Sequence, residues 1–469
     1  MRNEDAIRKI LSTLNADLRL RHGQIAKIES EIGRSPGYLN KVTRSTWSMP
    51  LDVLLRTLEA CEIEPGTFFG RAFDIASTPE DYLQELAVRE NQDGIQALRT
   101  DWEIVRQAAM TNGSPSRPLT EEQVAARVAE LTSQSPKDQR RQLRTRRGDA
   151  HPAVVAAYIA HLDVLREGRP DEAVQLASTL IREVVPRLGG DDRRVLGCRA
   201  LAVLGSAYRS MPRLGAAAAA LVEALAWERL FSLGRLRWQI LLRAAAVLSD
   251  ADLPRRAQDV LRWALEAALD HDGGTRAQGQ VLTSRGIVHG YAGDYREAQN
   301  ILSRAIRLLP PGHSKEAAYH HLMLAATAAG DAENAERWLA RALGELNRSG
   351  RSGARLAWQR GRILLVRGRA EAAMRSLRKA MDLYEAVRDA EGALVVPDLL
   401  RAARPGQLHR LAQTHVRLLL AYRGRSAEAL GRLAEASLNE ELTPGLVEEV
   451  AAEVQRYPLQ PSREDVNDF

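Results

Sequence analysis

Apolar residues recur along this chain in rows that a helix gathers onto one face. Seven alanines set the register: Ala173, Ala217, Ala257, Ala298, Ala335, Ala373 and Ala429. Four positions on stand Ala177, Leu221, Leu261, Leu302, Leu339, Leu377 and Leu433, and seven positions on stand Leu180, Ala224, Ala264, Ala305, Ala342, Ala380 and Ala436. Residues spaced i, i+4, i+7 share one face of an α-helix, and small side chains there admit close approach of a second helix. Twelve positions before three of the anchors stand Gly205, Gly286 and Gly361. A glycine inside a helix costs about 1 kcal/mol relative to alanine, and it is tolerated where a partner helix crosses. The pattern predicts pairs of antiparallel helices: a first helix with a small residue at the crossing, then a second carrying the alanine–leucine–alanine row.

Short polar phrases separate the helices. Five run Gly168-Arg-Pro-Asp-Glu-Ala173, Gly293-Asp-Tyr-Arg-Glu-Ala298, Gly330-Asp-Ala-Glu-Asn-Ala335, Gly368-Arg-Ala-Glu-Ala-Ala373 and Gly424-Arg-Ser-Ala-Glu-Ala429. Each reads as a helix stop, a tight turn and a helix start. Pro310 and Pro311 end one second helix, since proline cannot continue it. Successive anchors lie 44, 40, 41, 37, 38 and 56 residues apart. The longest gap holds an insertion that includes residues 395–407. Repetition of this kind builds helical arrays, which bind polypeptide rather than catalyse.

The first seventy-five residues do not repeat. Ile7, Ile10, Leu11, Leu14 and Leu18 predict a helix over residues 2–21. A second runs from Gln24 to Ile32, then Gly33-Arg34, then a third from Ser35 to Val42. A fourth, from Pro50 to Cys61, carries Val53, Leu54, Leu55 and Leu58, and Glu64-Pro65-Gly66 breaks the chain before Phe68-Phe69. Glycine between two helices permits a positive φ at the turn. Ser35 is expected to cap the third helix, with Pro36 in its first turn. Residues 76–150 read as connecting helices. Thr120-Glu-Glu-Gln123 opens one as a capping box. Lys137 to Arg147 carries six basic residues and one acid. It reads as a solvated hinge, with a phosphate-contacting arm as the alternative. Residues 441–469 read as a terminal cap and polar tail.

Composition narrows the class. Aromatics are 5% of 469 residues and helix formers abound, which predicts an all-α chain. The net charge of +6 permits a nucleic-acid partner without requiring one. Residues 1–50 hold nine Lys/Arg against five Asp/Glu. Cys61 and Cys198 fall in different predicted domains and read as buried thiols of a reducing compartment. The charged, amphipathic start is unlike a signal peptide. The Ala-rich stretch Leu214 to Ala226 is too short to span a bilayer. A cytoplasmic protein without membrane contact is expected. No HExxH motif and no Walker loop occurs. The adjacent His320 and His321 point about 100° apart on a helix and cannot easily share a metal. Neither enzyme activity, metal nor cofactor is expected.

Residues 150–440 resemble the tetratricopeptide repeat, most closely from Leu282 to Pro310 through Gly286, Ala298, Leu302, Ala305 and Pro310. The resemblance implies a solenoid of helical hairpins whose first helices line a concave groove. Projected inward are Arg199, Arg209, Gln239, Gln280, His320, Arg355, Trp358 and Arg362, a basic set suited to an acidic peptide, a peptide carboxylate or an acidic protein surface. Residues 1–75 resemble the phage-repressor and Cro-like helix-turn-helix class through Ile28, Ile32, Gly33, Ser35, Leu39 and Val42. Two positions depart from that class. Glu29 stands in place of a small alanine and is expected either to face solvent or to pair with Arg34, and Arg34 stands in place of a buried aliphatic. The resemblance implies that the helix beginning at Ser35 reads the major groove of double-stranded DNA through Ser35, Pro36, Gly37 and Tyr38, then Asn40, Lys41 and Arg44. Asn40 suits adenine, while Lys41, Arg44 and Gln24 suit phosphates.

The expected architecture is thus a five-helix helix-turn-helix domain over 1–75, a connector over 76–150, a tetratricopeptide-like array over 151–440 and a cap over 441–469. The combination resembles peptide-responsive quorum-sensing regulators of bacteria, which implies a dimeric transcriptional regulator with a peptide or protein ligand. Those regulators grip peptide with inner-face asparagines. Here Asn300, Asn334, Asn347 and Asn439 fall elsewhere, which weighs toward a protein partner. The alternative is a non-enzymatic interaction scaffold or adaptor, for example in a defence complex, whose front domain is an inert helical cap or protein-docking module.

Overall fold

The computed structural model describes residues 10–11, 14, 25–44, 49–61, 78–90, 102, 118–145, 150–270, 274–387, 389–422 and 426–456. Among the described residues every regular element is helical and none is a strand. The chain divides into two compact units, residues 1–82 and 83–469.

In the first unit the described helices are α1 (Ile25–Glu31), α2 (Tyr38–Arg44) and α3 (Leu51–Ala60), with α4 (Pro79–Glu90) running across the division. Their core is Leu14, Ile28, Ile32, Leu39, Val53, Leu54, Leu58 and Cys61, all buried. Apart from Ile10, Leu11 and Leu14, the helix expected over 2–21 lies outside the described residues, as does the segment holding Phe68 and Phe69.

Beyond α4, the next described helices of the second unit are α5 (Glu121–Thr132) and α6 (Pro136–Thr145). The capping box at Thr120 forms as expected. Gln123 N–H donates to Thr120 Oγ1 at 3.2 Å, and Thr120 N–H donates to Gln123 Oε1 at 3.1 Å. The basic stretch, expected as a solvated hinge, is helical over Lys137–Thr145, and Lys137, Arg141 and Arg144 are exposed. There it forms α6, with Gln139 and Leu143 buried. Tyr158 Oη donates to Gln139 Oε1 at 2.7 Å, which ties α6 to the following helix.

Helical hairpins follow in series: α7 (Pro152–Gly168) with α8 (Pro170–Thr179), α9 (Gly190–Ser210) with α10 (Leu214–Leu230), α11 (Gly234–Asp250) with α12 (Pro254–Asp270), α13 (Gly274–Tyr291) with α14 (Tyr295–Leu308), α15 (His313–Ala328) with α16 (Ala332–Glu345), and α17 (Gly350–Val366) with α18 (Ala370–Ala386). A short 3-10 turn (Ala390–Val395) and α19 (Val396–Arg401) come next. The hairpin α20 (Leu408–Ala421) and α21 (Ala427–Leu438) and a last helix, α22 (Pro444–Arg456), complete the unit. Each helix packs on its successor, and the first helices of neighbouring hairpins from α9 to α17 also touch one another.

Where they are described, the turns work as the polar phrases predict; Gly424 and Arg425 lie outside the described residues. At Gly330 the chain takes φ +75° and Asp331 N–H closes back on the Ala326 carbonyl at 2.9 Å, which satisfies a helix-end carbonyl. Asp252 holds the equivalent left-handed position at φ +59°, a conformation Asp tolerates better than most residues.

All seven anchor alanines and the residues four and seven positions after them are buried. The three crossing glycines meet the leucine of their own hairpin. A Cβ at Gly286 would lie 2.5 Å from Leu302 Cγ, and one at Gly361 would lie 2.5 Å from Leu377 Cγ. Gly286→Ala is therefore expected to destabilise the chain by about 1–2 kcal/mol, overpacking outweighing the gain in helix propensity. Gly431→Ala, where a Cβ has no heavy atom within 4 Å, is the control. It should stabilise by up to about 1 kcal/mol. Thermal melts of the two variants should move in opposite directions.

Candidate functional site

The front helix pair is set by a buried charge. After α1, Gly33 turns the chain at φ +70° and α2 starts at Tyr38. The orphan N–H groups at the start of α2 find their acceptor on α1. Gly37 N–H donates to Glu29 Oε2 and Leu39 N–H donates to Glu29 Oε1, each at 2.8 Å. Glu29 is only 2% exposed. A carboxylate here answers two helix-end donors at once and opposes the positive end of the helix dipole. Both expectations for Glu29 are corrected: its side chain neither faces solvent nor pairs with the Arg34 guanidinium. Arg34 N–H instead donates to the Glu29 carbonyl at 2.7 Å, and its guanidinium lies 5.1 Å over the Tyr38 ring. Ser35 contributes its backbone carbonyl to Tyr38 N–H at 3.1 Å, and the side-chain cap comes from Glu29.

This anchoring sorts α2 into two faces. Leu39 and Val42 are buried in the domain core, whereas Ser35, Pro36, Gly37, Asn40 and Lys41 are exposed and Tyr38 is half-buried. Gln24 and the Arg44 side chain lie outside the described residues.

The eight residues projected onto an inner face part into two groups. Arg199 and Gln239 line an open cleft between α7, α9 and α11, together with Asp163 and Arg243. Arg209 is half-buried and pairs with Asp250 at 3.2 Å, and Gln280 Nε2 donates to Ser314 Oγ at 3.2 Å.

His320, Arg355, Trp358 and Arg362 are all buried, and as open groove positions they are corrected. For the three residues of α17 the insertion between α18 and α20 explains this, because it brings two acids onto that helix. Glu391 accepts from Arg355 Nη2 at 3.0 Å and from Arg351 Nη2 at 2.5 Å. Asp398 accepts from Trp358 Nε1 at 2.8 Å and stands 3.7 Å from Arg362 Nη1. Glu316 of α15 adds a 3.3 Å contact to Arg355. Gln359 Nε2 lies 3.0 Å from His320 Nδ1. Burial, then His321, Arg355 and Arg362, hold the His320 imidazole well below its ordinary range, so it is neutral at physiological pH. Burial works against charge on Arg355, but Glu391 leads the groups that outweigh it and hold the guanidinium above its usual range.

No protein-family model matches this chain, and no curated protein matches it.

Chemical capacity therefore lies in two places, each within its own unit. The first is an exposed polar edge on a rigidly capped helix. The second is a cleft whose lining includes Arg199 and Arg243. Sequence reasoning missed Asp163 and Arg243. Arg243 stands four positions after Gln239 on the same helix, and Asp163 is the lone acid in the apolar run from Ala153 to Leu165. A lone acid in such a run is a signal for a buried partner.

Proposed function

We propose that this chain is a non-enzymatic, DNA-binding transcriptional regulator of the bacterial repressor kind. In this reading α1 and α2 are a helix-turn-helix, and the hairpins from α7 to α21 form a tetratricopeptide-like array that binds a peptide or protein. The observation that carries it is the face of α2 left open to solvent. Asn40 and Lys41 project from a helix whose other face is sunk in the core and whose start is clamped by Glu29. A carboxamide there can bond adenine bidentately while the ammonium holds a phosphate. One such helix reads few bases, so the protein acts as a homodimer on paired half-sites in the cytoplasm. The array biases the arrangement of the two front domains when its partner binds.

Gel-shift titration against genomic fragments tests this. The wild type should bind at least one fragment with an affinity that falls as salt rises. Asn40→Ala with Lys41→Ala should weaken binding about 5- to 150-fold and reduce the salt slope by about one. Unchanged affinity in the double variant, or no specific fragment at all, would instead make the chain an interaction scaffold.

A further inference from the structure

We propose that the face of α14, α16 and α18 turned away from the core is a second contact surface for double-stranded DNA, one that holds the phosphate backbone without reading sequence. The proposal goes beyond the reader assigned to α2 and would stand if α2 touched no DNA.

The repeat register builds this face. Ala298, Ala335 and Ala373 are buried, as are the residues four and seven positions after each. At about 100° per residue, positions two, five and six after each anchor point to the opposite side of the helix. Six of these nine positions are basic: Arg304, Arg337, Arg341, Arg375, Arg378 and Lys379. All six are exposed, and the other three positions are neutral. The helices are tied side by side. Asn334 Nδ2 of α16 donates to Gln299 Oε1 of α14 at 2.6 Å, and Arg367, in the turn that leads into α18, pairs with Glu336 of α16 at 2.6 Å.

These cations go unanswered within the chain. Among the described residues, Arg304, Arg337, Arg375, Arg378 and Lys379 make no ion pair and no side-chain hydrogen bond. Arg341 lies 4.9 Å over the Trp338 ring, and Glu345, one turn further on, is bound by Lys315 at 2.7 Å. Glu371 is bound by Arg404 at 3.2 Å, while Glu297 and Glu333 stand in first turns and Asp382 and Glu385 toward the end of α18. The contrast lies in the same unit, where Arg243 meets Asp163 at 2.6 Å and Glu391 serves Arg351 and Arg355. Arg337 with Arg341, and Arg375 with Lys379, stand about 6 Å apart along their helices, where like charges repel.

A polyanion removes that repulsion, and the face selects among polyanions. A protein partner wants aromatic or apolar anchors at the centre of its contact, and the one apolar residue at the nine positions is Ala340. A single strand wants aromatic platforms for its bases, and Trp338 is already covered by Arg341. Duplex DNA presents one charge per about 1.7 Å of axis and asks only for cations.

Fluorescence anisotropy of the full chain on a random-sequence duplex of about 30 base pairs, from about 50 to 200 mM salt, tests this. Arg304→Gln, Arg341→Gln, Arg375→Gln and Lys379→Gln combined should lower the salt slope by about 2–4 and weaken binding at least about tenfold. Gln and Arg have similar helix propensity, so circular dichroism should not change. Arg304→Lys, Arg341→Lys and Arg375→Lys combined should keep the slope within about one of the wild type, because a phosphate answers either cation. Asn40→Ala with Lys41→Ala, in the other unit, should lower it by only about one. An unchanged slope in the glutamine variant, a loss in the lysine variant as large as that with glutamine, or tighter binding of a decaglutamate peptide than of the duplex overturns the proposal. Because the duplex carries no operator, failure here leaves the α2 reading to its own gel shift, and failure of that gel shift leaves this slope to be judged by itself.

Discussion

Glu391→Ala is expected to loosen the end of the array by about 3–5 kcal/mol, the cost of stripping the counter-charge from a buried ion pair. Glu391 is buried between Arg351 and Arg355 and also lies 3.4 Å from Tyr384 Oη. Without it, Arg355 retains the 3.3 Å contact to Glu316, and its charge remains buried. Arrays lose structure locally, so one global melt understates the effect. Hydrogen exchange should accelerate in α17, α18 and α20 and stay unchanged in α9 to α12. Glu391→Gln, which retains an acceptor, should fall between the variant and the wild type. Burial pushes the Glu391 carboxyl up, but Arg355 and then Arg351 outweigh it and hold it below the usual range. A depressed folded value means that this stability is complete above the unfolded glutamate range, about 4.3, and is lost as the pH falls through the lower folded value. The gap between wild type and Glu391→Ala should therefore close in acid. Uniform exchange across the unit, or a gap that widens as the pH falls, would contradict the pairing.

Glu29→Ala is expected to cost about 3 kcal/mol, since two hydrogen bonds to a buried charged acceptor disappear. That is a large fraction of what a small domain possesses. The start of α2 should fray, and Asn40 and Lys41 should lose their common orientation. Under the proposed function, DNA affinity falls although Glu29 touches no DNA. The contrast with Asn40→Ala is diagnostic. The exposed residue should lose affinity with no change in melting temperature, whereas Glu29→Ala should lower both. Glu29→Ala with an unaltered melt would show that the carboxylate does not hold the helix.

The candidate inner face divides along a physical line. Arg199 and Gln239 remain at a cleft because the helices around them leave one. Arg355, Trp358 and Arg362 are closed over because the insertion places Glu391 and Asp398 upon them. The longest spacing between anchors announced that extra residues were present there. It could not announce where their acids would point, since the two partners of each contact lie about 36 to 40 residues apart.

Local rules carried the helices. The alanine–leucine–alanine rows, the crossing glycines, the left-handed turns and the Thr120 capping box each depend on residues within one helix or one hairpin, where spacing along the chain equals spacing in three dimensions. The exposed polar edge of Tyr38–Arg44 was legible for the same reason: Leu39 and Val42 mark the opposite face. What the amino-acid order alone determined was therefore an all-helical chain, its hairpin register and the two sides of each helix. Tertiary structure alone decided which charges meet: Glu29 with the start of the next helix, Asp163 with Arg243, Glu391 and Asp398 with α17. Such pairs join elements that approach only after the core has formed, and burial then leaves each charge no alternative partner in water.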